Sequence, residues 1–453
     1  MTTKRRRVHF GIDYGTSNSK LVIRDFAAAD DGRAHVALDD GSERFSSSVA
    51  LVGNDILFGF RRTNRHRILD RATWYESLKM YVAGEIKHDE RAYYHGPVFT
   101  LPSGLSSQDL AALTVWWLIG EASLAAKAII RHRSDEVLAP GMTIGIPMSF
   151  YTDTDLRRAF VAIARVGWSL FRARGLINAR RLSIGQAQQY LRDAHADVMS
   201  DPISDEEARY WVRSEAEAAL WWAFRSPQIS DGPYAKIDIG AGTTNASVFR
   251  IVVGRSEGVE EGPAGKLKMA FFGASSTPIG MDAVDEALAH WQGSDPSKTM
   301  ALRGREDGLL EDEGAQRACR PAFRAMHEAL TAAWKQNWAL IRHARFEKEA
   351  WARDSRLFLL GGGSLVRASR QLVSAKPMDL GGRLAILNLE SPPDLRLSGR
   401  AVPRDVLPFV LVAYGLSVLA PPIPMVETPD EAPPMPPMEL TLRQLSHEDI
   451  YAR

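Results

Sequence analysis

The chain reads FGIDYGTSNS at residues 10–19 and IDIGAGTTNA at residues 237–246. Each stretch is a short apolar strand that reaches an aspartate, Asp13 or Asp238, and then turns through glycines into small hydroxylated residues. Glycine lets backbone N–H groups come close to phosphate oxygens, and a carboxylate at a strand end can hold a metal ion through water. Two such segments that face each other would bind a polyphosphate from both sides. The pair therefore predicts a nucleotide-binding protein.

Length and composition exclude several classes of protein. The 453 residues are enough for two hydrophobic cores, and 56 Lys and Arg against 55 Asp and Glu leave a net charge of +1. The sequence shows no apolar run of transmembrane length and no signal peptide, and Cys319 is the single cysteine. We expect a soluble cytoplasmic protein that binds neither nucleic acid nor membrane, with the basic residues 4–7 as a solvated leader before the first strand.

Two other nucleotide-binding classes fit the sequence poorly. A Rossmann fold would place a third glycine where the second segment has Asn245, and no helix clearly follows that segment. The phosphate-binding loop GxxxxGK[ST] is absent, as are HExxH and paired CxxC metal motifs.

The rest of the chain alternates predicted strands and helices. Residues 8–25 predict a hairpin that opens an antiparallel edge, and a helix is expected from Asp153 through Arg165. Residues 166–210 read as a helical stretch rich in Arg and Gln, and residues 405–419 as a last apolar helix. The many prolines of residues 421–453 predict an extended tail.

Read together, these segments resemble the actin/sugar-kinase/DnaK superfamily, and within it the nucleotide-binding region of DnaK-type heat-shock chaperones. Residues 11–19 are similar to the first phosphate motif (GIDLGTTNS), and residues 238–245 to the second (DLGGGTFD). Residues 359–364 resemble the adenosine motif, and residues 413–415 the closing helix. Weaker similarities fall in family order at residues 77–79, 146–150, 215–219 and 278–282.

The resemblance implies an α/β protein with a two-lobed actin-like ATPase fold. Each lobe would be a mixed sheet flanked by helices, with the nucleotide in the cleft between the lobes. Lobe I would span residues 1–212, with a possible helical insertion at about 166–210, and lobe II residues 213–404. Residues 405–420 would form a closing helix that returns to lobe I, before the tail of residues 421–453.

The resemblance also implies a binding site for ATP or ADP with Mg²⁺. Asp13 and Asp238 would hold the hydrated Mg²⁺. The residues expected at the β- and γ-phosphates are Gly15, Thr16, Ser17 and Asn18 from the first hairpin and Gly240, Gly242, Thr243 and Thr244 from the second. Those expected at the adenosine are Gly361, Gly362 and Gly363, with Ser364 starting the next helix.

For hydrolysis, the resemblance gives Lys79 and Glu215 the catalytic roles, alongside the metal-holding aspartates. Lys79 would stabilise charge on the γ-phosphate, and Glu215 would orient the attacking water, since such catalysis depends mainly on positioning and electrostatics. Glu217 is an alternative to Glu215, because both lie on one helix of small residues. Asn245 departs from the family aspartate, so hydrolysis could be slower.

We therefore expect an ATP-binding, slowly hydrolysing switch that acts on a protein partner through its tail or its lobe surfaces. Residues 421–453 are too few for the chaperone's peptide-binding β-sandwich of roughly a hundred residues. The alternatives are an actin-like filament protein, a small-molecule kinase, or a nucleotide-binding scaffold that does not hydrolyse ATP.

Overall fold

A computed structural model describes residues 4–27, 32–60, 72–87, 101, 104–130, 136–177, 180–204, 207–208, 211–223, 229–230, 232–253, 267–277, 279–293, 312–343, 354–366, 370, 383–418 and 426–427. They form a mixed α/β fold in which mixed sheets are flanked by helices. The helices are α1 Leu78–Lys87, α2 Ser107–Ile129, α3 Met148–Tyr151, α4 Thr154–Arg174, α5 Ile184–Ser200, α6 Glu215–Leu220, α7 Met281–Gln292, α8 Glu313–His343 and α9 Leu407–Leu416, with a 3₁₀ turn at Gly362–Leu365. The strands are β1 Lys4–Asp13, β2 Asn18–Asp25, β3 Arg33–Val36, β4 Phe45–Ser46, β5 Val49–Val52, β6 Asp55–Phe58, β7 Thr73–Tyr75, β8 Glu136–Ile146, β9 Arg181–Ser183, β10 Val212–Ser214, β11 Gly232–Ile239, β12 Thr244–Val253, β13 Leu267–Thr277, β14 Asp354–Leu360, β15 Arg383–Ile386, β16 Leu395–Leu397, β17 Arg400–Ala401 and β18 Val426–Glu427.

The first hairpin lies inside its sheet and not at an edge. β1 pairs antiparallel with β2 and parallel with β8, within the order β10–β8–β1–β2–β3–β16–β17. The predicted hairpin is thus confirmed, but its predicted edge position is wrong. The basic residues 4–7 belong to β1, where Arg6 pairs with Asp25 at 2.6 Å and with Glu136 at 3.3 Å. All four belong to the strand and do not precede it, but only Arg6 is shown with acidic partners, and Lys4, Arg5 and Arg7 are exposed as expected of a solvated segment.

The second hairpin repeats this arrangement in another sheet. β11 pairs antiparallel with β12 and parallel with β14, within the order β15–β14–β11–β12–β13–β18. In each hairpin the aspartate at or next to the end of the first strand lies directly opposite a residue of the second strand. Asp13 faces Lys20, and Asp238 faces Asn245. A third sheet has the order β7–β5–β6–β9.

Helix α9 packs closely against the first hairpin and α6. A Cβ placed on Gly11 of β1 would lie 2.0 Å from the carbonyl oxygen of Ala413, and one on Gly415 would lie 1.9 Å from that of Ala218. Only glycine allows backbones to approach this closely. At these two positions α9 packs closely against β1 and against α6, and both of those elements carry residues of the predicted site.

Helix α2 is a core helix. Ser106 caps its N-terminus: the Ser106 hydroxyl accepts from the backbone N–H of Asp109, and the Asp109 carboxylate accepts from the backbone N–H of Ser106. By length and composition α2 is the one described helix that could cross a membrane, yet 61% of its most apolar window is buried inside the protein. It packs along α4 and under the first sheet.

The segment after Asp153 differs from the prediction. Asp153 caps α4 as expected, but the helix continues beyond Arg165 to Arg174. The residues expected to form a helical insertion at 166–210 therefore begin inside α4, continue through β9, which pairs with β6, and end with α5 against α4. These described parts pack against the neighbouring core, and whether they are an insertion stays a prediction. The tail predicted at residues 421–453 lies outside the described residues, apart from Val426–Glu427.

Candidate functional site

A cleft lies between the turns of the two hairpins. Its empty space, counting that at the open mouth, is about 770 Å³. Among the predicted site residues, those lining the cleft are Asp13, Gly15, Thr16, Ser17, Asn18, Lys79, Glu215, Asp238, Gly240, Thr243, Gly361, Gly362 and Gly363. Segments hundreds of residues apart in the chain thus meet at one place.

The other three predicted residues, Gly242, Thr244 and Ser364, do not line the cleft. They pack against residues around it. The hydroxyl of Thr244 donates to the carbonyl of Ile279 at 2.8 Å. Gly242 lies against Thr16, since a Cβ there would be 3.0 Å from the Thr16 methyl group. Ser364 does not start a described helix as predicted, but lies inside the 3₁₀ turn and donates to the carbonyl of Gly361 at 2.6 Å.

The two turns touch each other directly. Besides the approach of Gly242 to Thr16, the hydroxyl of Ser17 donates to the Asp282 carboxylate at 3.2 Å. Asp282 follows the second hairpin, where its backbone N–H donates to the carbonyl of Ala241. The cleft is therefore closed at this end by contacts between the hairpins, and a ligand would insert between turns that already meet.

The strand-end carboxylates both have a lysine beside them. Lys20 Nζ lies 3.2 Å from Asp13 Oδ2, and Lys236 Nζ lies 3.2 Å from Asp238 Oδ2. Carboxylate oxygens suit Mg²⁺, and within the described residues no three His, Cys, Asp or Glu side chains gather at metal-binding distance. Asp13 and Asp238 thus fit a hydrated ion held through its waters, in competition with the two ammonium groups.

Lys79 and Glu215 form a buried ion pair at the base of the cleft. The Lys79 ammonium contacts Glu215 Oε1 and also donates to the carbonyls of Tyr14 at 2.7 Å and Gly145 at 3.4 Å. Burial raises the pKa of Glu215 above its usual value, although the positive charge of Lys79 opposes this. All three donors of Lys79 have acceptors, so contact with a phosphate would require it to release one. Glu217 is buried and does not line the cleft.

The glycines of the predicted adenosine motif are needed by the protein's own packing. A Cβ on Gly361, whose φ is +78°, would lie 2.4 Å from Asp238 Oδ1. One on Gly363 would lie 2.3 Å from Ile239 Cγ2, and one on Gly362 would lie 2.7 Å from the Phe409 ring. Because these residues have no side chains, the loop after β14 can pack closely against the second hairpin. Their exposed sides form one wall of the cleft.

Sequence reasoning missed several residues of the cleft, which are Lys20, Arg44, Met80, Pro147, Ala241, Met281 and Phe409. Lys20 could have been found from the register of the first hairpin, which sets it opposite Asp13. No local sequence pattern marks Arg44 or Phe409 as residues of the cleft. The Arg44 guanidinium lies 4.4 Å from the centre of the Phe409 ring, and this cation–π contact joins the segment before β4 to α9.

Asn245, the departure from the family motif, also lines the cleft. Its Oδ1 atom is buried and has no hydrogen-bond partner among the residues that the structure describes. A buried unpaired amide oxygen is costly unless something donates to it. This position, opposite Asp238, is therefore a place where a bound ligand or its water could be recognised.

Comparison of the sequence with models of known protein families and with curated proteins gave no match. The assignment of function therefore depends on the geometry of the cleft and on the motifs that form it.

Proposed function

We propose that the chain binds ATP between the two lobes of an actin-like fold and acts as a slowly hydrolysing, DnaK-like conformational switch on a protein partner. Residues 1–212 and 213–404 would form the lobes, each a mixed sheet flanked by helices. One observation carries the proposal: both glycine turns and both strand-end carboxylates line a single cleft. A cytoplasmic location is part of the proposal, since Cys319 is a free, buried thiol.

The cleft supplies the chemistry that a polyphosphate requires. The turns at residues 15–18 and 240–243 offer backbone N–H groups and hydroxyls, and the glycine wall at residues 361–363 offers a surface for the nucleoside. Mg²⁺ bound with ATP would neutralise charge on the β- and γ-phosphates, and Asp13 and Asp238 would hold its water ligands.

The experiment is single-turnover hydrolysis of ATP, measured as phosphate release, by the full-length wild type and two variants. Asp238→Asn removes the charge at the cleft with little change of shape. Asp155→Asn makes the same change at an exposed position of α4 and is the matched control. We expect Asp238→Asn to abolish hydrolysis and Asp155→Asn to retain it. Equal hydrolysis by both variants would contradict the proposed site.

The switch itself requires the protein to differ between nucleotide states. Hydrogen exchange on the full chain with ATP, with ADP and without nucleotide tests this without knowledge of the partner, which would dock on the lobe surfaces or residues 421–453. We expect ATP to protect both hairpins and α9 more strongly than ADP does. Identical exchange in all three states would exclude a switch.

Two observations favour a second candidate, a nucleotide-binding scaffold that does not hydrolyse ATP. Glu215, the expected water-orienting residue, is paired with Lys79, and the family aspartate is replaced by Asn245. ATP binding without any phosphate release would select this scaffold over the switch.

A further inference from the structure

We propose that the groove between α4 and α5 binds the chain's own proline-rich segment, residues 428–440, within the same molecule. The groove is separate from the nucleotide cleft, because none of its lining residues lines that cleft. Docking there would give a function to the stretch at 166–210, to which neither the motifs nor the proposed ATP site assigns one.

Three aromatic side chains line the groove. Trp168 of α4 packs edge-on against Trp211, with the ring centres 6.2 Å apart, and Tyr190 lines the groove from α5. All three side chains are half-buried, and the empty space of the groove, counting its open side, is about 1200 Å³. Aromatic-lined grooves of this kind are the surfaces on which proline-rich segments dock in proteins.

The polar atoms of these aromatic residues are available to a ligand. The indole N–H groups of Trp168 and Trp211 and the hydroxyl of Tyr190 have no hydrogen-bond partner within the part of the chain that the structure describes. Such groups usually acquire a partner when they become buried. A polyproline-type segment has no internal hydrogen bonds, so its carbonyl oxygens are free to accept from these donors.

Residues 428–440 have the composition that such a groove requires. They read TPDEAPPMPPMEL. The pattern PxxP occurs at residues 421–424, 433–436 and 434–437 and nowhere else in the 453 residues. A segment of this type is already extended before it binds, so docking costs it little conformational entropy. Met435 and Met438 add flexible apolar side chains that can fill gaps between the rings.

The groove also contains one arginine without an acidic partner. Arg165 pairs with Asp201 at 3.3 Å, and Arg174 pairs with Asp193 at 2.8 Å. Arg172 of α4 lines the groove and is exposed, and no carboxylate of the described residues pairs with it. A ligand that carries carboxylates could therefore pair with Arg172 without breaking an existing ion pair.

The charge of the proline-rich segment matches this arginine. Residues 428–440 contain no Lys or Arg, and their three carboxylates belong to Asp430, Glu431 and Glu439. Asp197, on the α5 side of the groove, would repel these carboxylates. The acidic residues should therefore lie along α4, beside Arg172.

The segment begins on the side of the molecule where the groove lies. β18, the last described element, pairs with β13; β13 contacts α3, and α3 packs against α4. Thirteen residues in the polyproline conformation span about 40 Å. A tethered segment also has an effective concentration in the millimolar range, so even weak contacts can hold it in its own groove.

The experiment measures disulfide formation in the full-length protein. Met435→Cys is combined either with Ala173→Cys, which lies in the groove, or with Ala196→Cys, which is exposed on α5 outside the groove and is the matched control. The native Cys319 is buried and should not compete. In oxidised glutathione, we expect the groove pair to form its intramolecular disulfide at least about tenfold faster than the control pair.

Two further variants of the groove pair test what is recognised. Replacing Pro433, Pro434, Pro436 and Pro437 by alanine should slow disulfide formation to the rate of the control pair. Trp168→Phe, which keeps a ring but removes the indole N–H, should slow it by about threefold or more.

Three results would overturn the proposal. Equal rates for the groove pair and the control pair would show that the segment does not dock. An unchanged rate after the four prolines are replaced would exclude recognition of the polyproline conformation. A covalent dimer as the main product would show that the groove takes the segment of a second copy. None of these results involves ATP, so each would leave the proposed function intact.

Discussion

Replacing Lys79 by methionine tests the buried ion pair at the base of the cleft. Methionine keeps most of the apolar stem but removes the ammonium group, which pairs with Glu215 and donates to the carbonyls of Tyr14 and Gly145. The change leaves a carboxylate without its cation in a place where both side chains are more than nine-tenths buried. Removing one partner of such a pair costs about 3–5 kcal/mol of folding free energy.

The loss should depend on pH in a defined direction. Burial already raises the pKa of Glu215, and removing the positive charge of Lys79 would raise it further. An acid whose pKa is higher in the folded state than in the unfolded state stabilises the fold below the unfolded pKa, and this stabilisation is lost as pH rises. In Lys79→Met the free energy of unfolding should therefore fall above pH ~4.5, by up to ~1.4 kcal/mol per pH unit.

Urea unfolding of the full-length protein at pH 5.5 and pH 8 measures both effects. We expect the deficit of Lys79→Met relative to the wild type to be larger at pH 8. The double variant Lys79→Met/Glu215→Leu should lose less than the sum of the two single losses, with a coupling of about 0.5–3 kcal/mol. Wild-type stability of Lys79→Met at pH 8, or strict additivity, would refute the buried pair. If the pair is present, a Lys79 variant that loses ATP binding could do so because it is less stable. Such a loss would therefore not by itself assign Lys79 a catalytic role.

Further predictions concern positions away from the ion pair. Burial, followed by the charges of nearby arginines, lowers the pKa of His9 to about 3, so wild-type stability should fall by up to ~1.4 kcal/mol per unit as pH drops below ~6.5; a His9→Gln variant should lose this dependence in urea titrations. Gly415→Ala should lower the free energy of unfolding by about 1–3 kcal/mol, because its methyl group would meet the carbonyl of Ala218. Gly185→Ala, on α5 with open space around it, is the control and should raise stability by about 0.5 kcal/mol; equal effects would contradict the close helix packing. Burial raises the pKa of Cys319 to about 11, so a thiol reagent at pH 8 should label it only after unfolding, and rapid labelling of the native protein would be inconsistent with its position.

The hairpins could be predicted from sequence because their signals are local. An apolar strand, an aspartate and a glycine turn are contiguous at residues 10–19 and again at 237–246, and the structure forms an antiparallel hairpin at each. Most of the predicted phosphate-contacting residues line the cleft for the same reason, since a hairpin determines where its own turn lies.

The partners of the site residues could not be predicted, because they depend on contacts between distant segments. Glu215 meets Lys79, and Arg44 meets Phe409, only once both sheets and α9 are packed. The end of α4 was misplaced for a similar reason. Gly167 is a poor helix former, yet a Cβ there would lie 3.0 Å from the carbonyl of Ala112 on α2, so tertiary packing accounts for the glycine inside a continuous helix.

The central claim is that the turns of the two hairpins hold a nucleoside polyphosphate, and equilibrium binding of ATP tests it most directly. Titration with Mg²⁺ should show one saturable site on the wild type. Thr16→Glu, which adds a carboxylate to the first turn at a half-buried position, should weaken binding by at least about tenfold through charge repulsion. Thr73→Glu, at an exposed position of β7, should bind like the wild type. Wild-type affinity in Thr16→Glu, or no ATP binding by the wild type, would contradict the account.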